Sequence, residues 1–148
     1  MEAELRRVLE AAFPGGEARY FLPMPIGSTS ETADEGAVLI LNGTKTLTSS
    51  ELWDYPDGKI PFFVGALGVL LDGSHRPRGI VETTRVEIMP FGAITEEMAR
   101  AYGEGERTVE WWHRVMGAFY SASAAHHNAI LADDTPHIWE WFALVHRL

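Results

Sequence analysis

Two apolar runs, Gly65 to Leu71 and Gly79 to Met89, flank the polar stretch Asp72-Gly73-Ser74-His75-Arg76-Pro77. A connection this rich in chain breakers reverses direction, and two such runs on either side of it pair as a β-hairpin. That hairpin constrains the chain more than any other feature, because it commits the fold to antiparallel pairing. The remaining segments must then cover the faces of a sheet.

Several segments have the right periodicity. Leu5, Val8, Leu9 and Ala12 recur at helical spacing, and Pro14-Gly15-Gly16 ends the pattern, so residues 1 to 12 are expected to form a short helix. Tyr20 to Ile26 is apolar but holds Pro23 and Pro25, which predicts an extended arm along a surface or sheet edge. Ser28-Thr29-Ser30-Glu31 has capping-box spacing, with Ala33, Ala37, Ile40 and Leu41 on one face and Gly43 beyond the end. A strand over Thr44 to Ser49 should follow, then a breaker-rich loop around Pro56-Asp57-Gly58 and Pro61. Thr95 and Thr108 are expected caps of two further helices, the first closed by Gly103 and the second carrying Trp111, Trp112, Val115, Phe119 and Tyr120. Asp134 to Leu148 reads as a closing strand. Strands split by helices, with a last strand returning, give a small α+β, barrel-like domain.

Composition removes several function classes. With 148 residues and no cysteine, the chain fits one domain and can have no disulfide framework, thiolate zinc site or cysteine nucleophile. No apolar run reaches the roughly 20 residues that span a bilayer, and Met1-Glu2-Ala3-Glu4-Leu5-Arg6-Arg7 is not a signal-peptide core, so a cytoplasmic location without membrane association is expected. Twenty-one acidic against 12 basic residues leave a net charge of −9, which opposes non-specific attachment to a polyphosphate. Any nucleic-acid contact must be local. His126-His127 and His137 have no completing carboxylate cluster, so neither a metal nor another cofactor is expected. Only Lys45 and Lys59 among the basic residues are lysine, which draws attention to Lys45 inside Gly43-Thr44-Lys45-Thr46-Leu47-Thr48.

That segment, together with Ile80-Val81-Glu82-Thr83-Thr84-Arg85-Val86 and Gly103-Glu104-Gly105-Glu106-Arg107 before an aromatic helix, resembles the ASCH domain family in its longer bacterial form. The likeness runs from about Thr32 to Val145 and takes in Trp53, Tyr55 and Pro90-Phe91. It implies a PUA-like β-barrel of about five to six mixed strands flanked by helices, formed by residues 28–148, with residues 1–27 as a helix and arm packed on it. It also implies a cleft lined by the Lys-Thr segment and the Gly-Glu-Gly loop. Members of the family are linked to RNA binding, some hydrolyse the acetyl amide of acetylcytidine, and some longer ones are reported to cut RNA.

The expected function is a module that binds RNA or a modified nucleoside. Lys45, Thr46, Trp53, Tyr55, Glu82, Arg85 and Tyr102 are the candidate ligand contacts, with Lys45 taking an anionic or carbonyl group and Trp53 or Tyr55 covering a base. Lys45→Ala should then abolish binding with little change in melting temperature. The alternative is a hydrolase, either an amidohydrolase on acylated cytidine or a ribonuclease. In it Thr48 supplies a hydroxyl nucleophile, Lys45 activates it if burial lowers its pKa, and Glu104 shuttles the proton. On a regular strand residues 45 and 48 face opposite ways, so the trio requires a turn or bulge. Tyr102 stands where longer members have a first glutamate and Met116 where a histidine is common, and His113 compensates only if it faces the cleft. A protein-interaction scaffold with a vestigial cleft is the third reading. Against each role stands a plain one: Trp111, Trp112, Trp139 and Trp141 at helix and strand spacing are core, Glu82 and Thr83 serve the sheet, and Arg76 and Arg78 occupy an exposed hairpin tip.

Overall fold

The structure, a computed structural model, describes residues 1–24 and 26–148. Pro25, one of the two prolines expected to hold the arm extended, lies outside the described residues. Helices α1 (Glu2–Ala12) and α2 (Ser30–Leu41) precede β1 (Leu47–Glu51), β2 (Leu67–Leu71) and β3 (Pro77–Pro90). Helix α3 (Glu96–Tyr102) is followed by one rod in three parts, α4 (Val109–Trp111), a π-helical stretch (Trp112–Met116) and α5 (Gly117–His126), and β4 (Pro136–Arg147) closes the chain.

The strands form one antiparallel sheet in the order β1-β4-β3-β2, with the hairpin β2–β3 at one side. Its register slips at three places, between Leu70 and Leu71, Ile80 and Val81, and Thr83 and Arg85. Each slip bends a strand and increases its twist, and together they curl the sheet into a half-barrel. The fold is therefore α+β as expected, but the sheet has four antiparallel strands among the described residues rather than five to six mixed ones. The proline-bearing arm accounts for part of the difference. It touches β2 through isolated parallel bridges at Tyr20↔Leu67 and Met24↔Leu70 and goes no further.

Alternation along β2 sets what covers the two faces. Leu67 and Val69 turn to α1, where they meet Leu5 and Leu9, while Leu70 turns to α2 with Val81 and Phe142. Farther along β4, Trp139 packs with Trp112, Tyr120, Tyr102 and Leu47, joining the sheet to α3, the rod and β1 in one aromatic core.

Two expected boundaries move for identifiable reasons. The α2 cap is Thr29, whose side chain accepts from the Thr32 N–H while Thr32 returns the contact, so the capping box lies one residue later than Ser28 to Glu31. Strand β1 starts at Leu47 rather than Thr44 because the preceding amides are used elsewhere. The Lys45 N–H bonds Leu39 O at 3.0 Å and the Thr46 N–H bonds Ala101 O at 2.8 Å, tying this segment to α2 and α3. The caps at Thr95 and Thr108 fall where the sequence puts them, each hydroxyl accepting from the backbone three residues on.

Candidate functional site

Strand β1 is an edge of the sheet, and alternate main-chain groups of an edge strand point away from its only partner. Here they are taken up from the side. Leu47 O accepts from Lys45 Nζ at 2.9 Å, and Ser49 O accepts from the Tyr120 hydroxyl at 3.0 Å. Because Tyr120 spends its one proton there, the Ser49 Oγ–H is the donor in the 2.8 Å contact between the two hydroxyls. Burial pushes the Tyr120 and Tyr102 phenols well above their ordinary range, so both remain protonated.

Beside this edge lies a cavity of about 500 Å³. Thr48 and Ser49 of β1 form its floor together with Tyr102, Glu104 and Gly105. Thr32, Glu35 and Leu39 of α2 form one wall, and Trp111, Val115, Met116, Phe119 and Tyr120 form the other. The arm residues Ile26 to Ser28 close one end and separate it from a second hollow of about 400 Å³ at the start of α2.

Glu104 is held in place by two glycines. At Gly103 (φ +76) a Cβ would lie 2.6 Å from Thr44 O and 2.8 Å from Lys45 Cα, so the loop can approach the Lys-Thr segment only without a side chain. At Gly105 (φ +58) a Cβ would fall 2.1 Å from the Trp111 indole. The Arg107 guanidinium then fastens the loop by donating to Arg100 O, at 3.1 Å from Nε and 2.9 Å from the terminal nitrogen.

Lys45 meets this loop from below. Its ammonium lies 2.7 Å from Glu104 Oε2, bonds Leu47 O and Tyr102 O at 2.9 and 3.0 Å, and sits 3.5 Å from the centroid of the Tyr102 ring. Three acceptors serve three protons, and the residue is only 1% exposed. Burial lowers its pKa from the ordinary lysine value, with the Glu104 carboxylate pulling the other way. The segment before β1 is what lets residues 45 and 48 serve one site: Lys45 precedes the strand and reaches back under the floor, whereas Thr48 lies within the strand and lines the cavity. The enclosure of the ammonium argues against an unchanged melting temperature in Lys45→Ala. Removing it would strand two main-chain carbonyls and one carboxylate.

The other sequence candidates divide plainly. Tyr102 lines the cavity. Thr46 does not; its main chain bridges Ala101 and Phe142. Trp53 stacks on His127 and donates to Ser123 Oγ at 3.1 Å, and Tyr55 packs edge-on to Phe62, so neither ring reaches the cavity lining. Glu82 pairs with Arg19, while Arg85 pairs with Glu87 and lies over the Trp141 ring. Arg76 and Arg78 bind Asp72 within the hairpin turn. Met116 lines the wall, while His113 packs against Phe91 and Trp112 and is not part of the lining.

Sequence reading missed Ser49, Tyr120, Trp111 and Glu35 as cavity residues. Their signal, position on an edge strand or on the inner faces of two helices, exists only once the elements are packed. It also missed a buried pair, His137 Nδ1 at 2.9 Å from Glu51 Oε1, enclosed by Phe91, Trp112, Tyr120 and Trp139. Among the described residues no group of three histidines or carboxylates is arranged to hold a metal, and no helix is long and apolar enough to cross a membrane.

The chain is similar to solved structures over nearly its whole length. An ASCH domain from Lactobacillus crispatus JV V101 shares 25% identity with a TM-score of 0.85, covering 99% of this chain and 94% of that one. A protein from Enterococcus faecalis V583, also 25% identical, superposes with a TM-score of 0.84 over 99% of this chain and 91% of its own. No curated relative matches the chain. The family model for the ASCH domain matches residues 23–146, and the chain belongs to the ASCH domain family.

Proposed function

We propose that the cavity beside β1 binds a nucleobase, carried by RNA or by a modified nucleoside. The observation that carries this reading is the Lys45–Glu104 pair, a carboxylate fixed by a fully enclosed ammonium and opening onto a cavity with hydroxyl groups on its floor and aromatic and aliphatic side chains on its walls. A base needs both, donors and acceptors in its plane and apolar contact on its faces. In this arrangement Glu104, Thr48 and Ser49 meet the polar edge. Trp111, Met116 and Phe119 cover the ring, rather than Trp53 or Tyr55. Lys45 acts through Glu104 by orienting the carboxylate, rather than by direct contact.

The reading is tested by calorimetric titration of acetylcytidine and of a short single-stranded RNA into the wild type and into Glu104→Gln. A charged hydrogen bond of about 1.5–3 kcal/mol corresponds to roughly a 10- to 100-fold loss of affinity in the variant. Equal binding by both proteins removes Glu104 from the site. No binding of either probe ends the nucleobase reading.

A hydrolase is the second reading, favoured by one particular observation: Thr48 and Glu104 line the same cavity, with a lysine of lowered pKa 2.7 Å from the Glu104 carboxylate. Attack of the Thr48 oxygen on an acyl carbon would transfer its proton through the Glu104–Lys45 pair to the departing amine. Water would then release the acid from the threonyl ester. Release of acetate from acetylcytidine, lost in Thr48→Val, is the expected sign of this chemistry. A wild-type protein that binds acetylcytidine without turnover leaves the binding role alone.

A further inference from the structure

The charge of the cavity restricts what can enter it. Glu104 faces in from the loop after α3 and Glu35 from α2, and no lysine or arginine is among the lining residues. Glu35 is exposed and has no salt-bridge partner among the described residues. Lys45, the cation at the floor, is enclosed and has committed its protons to Leu47 O, Tyr102 O and Glu104. It therefore has nothing to offer an incoming anion. In a space of about 500 Å³ any bound group lies within about a Debye length of Glu35, whose charge no lining cation offsets, while Glu104 is balanced by Lys45; the net charge of −9 adds to the same field.

A phosphate monoester would carry nearly two further negative charges into this space, with no cation in the lining to receive them; Thr32 in the first turn of α2 lines the cavity, but its N–H is already bonded to Thr29 Oγ1. An unphosphorylated nucleoside has no such cost, and its hydroxyl and amino protons are donors that the two carboxylates can accept. We propose that Glu35 is a specificity-determining residue that bars phosphorylated ligands, so that the cavity selects the free nucleoside over the nucleotide and over a strand of RNA. The inference rests on the nucleobase reading above and narrows it.

The test is a set of titrations on the full chain with acetylcytidine, its 5′-monophosphate and a short single-stranded RNA, using the wild type, Glu35→Gln and Glu35→Lys. Residue 35 is itself solvent-exposed, and thermal melting confirms that each variant is folded. The wild type is expected to prefer the nucleoside to the monophosphate by tenfold or more. That ratio should shrink in Glu35→Gln, approach or pass unity in Glu35→Lys, and fall as salt is raised, which a steric exclusion would not do. A wild type that binds the monophosphate or the RNA as tightly as the nucleoside overturns the inference, as does a ratio unmoved by both substitutions. Absence of binding by all three probes marks instead the failure of the nucleobase reading, and the inference falls with it.

Discussion

Lys45 is the residue on which the local structure turns. Its enclosed ammonium neutralises Glu104 and caps two carbonyls, Leu47 O and Tyr102 O. Lys45→Ala is expected to cost about 2–4 kcal/mol, a fall in melting temperature of roughly 6–12 °C for a domain of this size, measured by calorimetry. An unchanged melting temperature would contradict the three-acceptor arrangement. Glu140 is the opposite case, a carboxyl held against its own ionisation. Burial pushes its pKa up to about 7, partly offset by the hydroxyl of Thr83 donating at 2.7 Å. Because the folded state holds this proton more tightly than the unfolded state, its contribution is complete below the unfolded value of 4.5 and is lost as pH rises through about 7. Glu140→Gln should therefore flatten the wild-type decline over that window and be the more stable protein above it, by up to about 3 kcal/mol. Denaturant melts of both proteins at pH 5 and pH 8 give the comparison. A difference between them that does not change with pH would remove Glu140 as the cause.

At the scale of elements, the site is made where a strand edge, a loop and a helical rod converge. Gly105 against the Trp111 indole is the tightest of these contacts. Gly105→Ala should force the loop and the indole apart, weakening ligand binding at least tenfold while changing the near-ultraviolet circular dichroism of the tryptophans. Global stability should drop by about 1–3 kcal/mol, the range for overpacking combined with a lost left-handed glycine. A variant with native spectrum and native affinity would show the approach to be loose. The rod itself passes through a π-helical stretch at Trp112–Met116, where side chains shift round the axis relative to an α-helix. Trp112 is consequently fully buried in the aromatic core while Val115 and Met116 reach the cavity. A π-helical stretch has no simple sequence signature. His113, expected to compensate for Met116 only if it faced the cleft, instead packs against Phe91 and Trp112.

For the whole molecule, the hairpin, the helices and the closing strand were legible because each is encoded locally, in breaker residues, caps and periodicity. Lys45 and Glu104 were legible as neighbours only through the family resemblance of the segments that hold them. What could not be read was the division of roles around them. Whether Trp53 covers the cavity or Ser123 depends on how α5 lies against β1, and whether Lys45 is a contact or a strut depends on three acceptors distant in sequence. On the proposed function a ligand enters the cavity beside β1. The five tryptophans report on that claim, since Trp111 lines the cavity whereas Trp53 and Trp141 lie outside its lining. In a two-dimensional NMR titration with acetylcytidine, the Trp111 indole N–H signal should shift with saturation while those of Trp53 and Trp141 stay in place. Saturable movement of the Trp53 or Trp141 signal with Trp111 unmoved would place the ligand elsewhere and contradict the account.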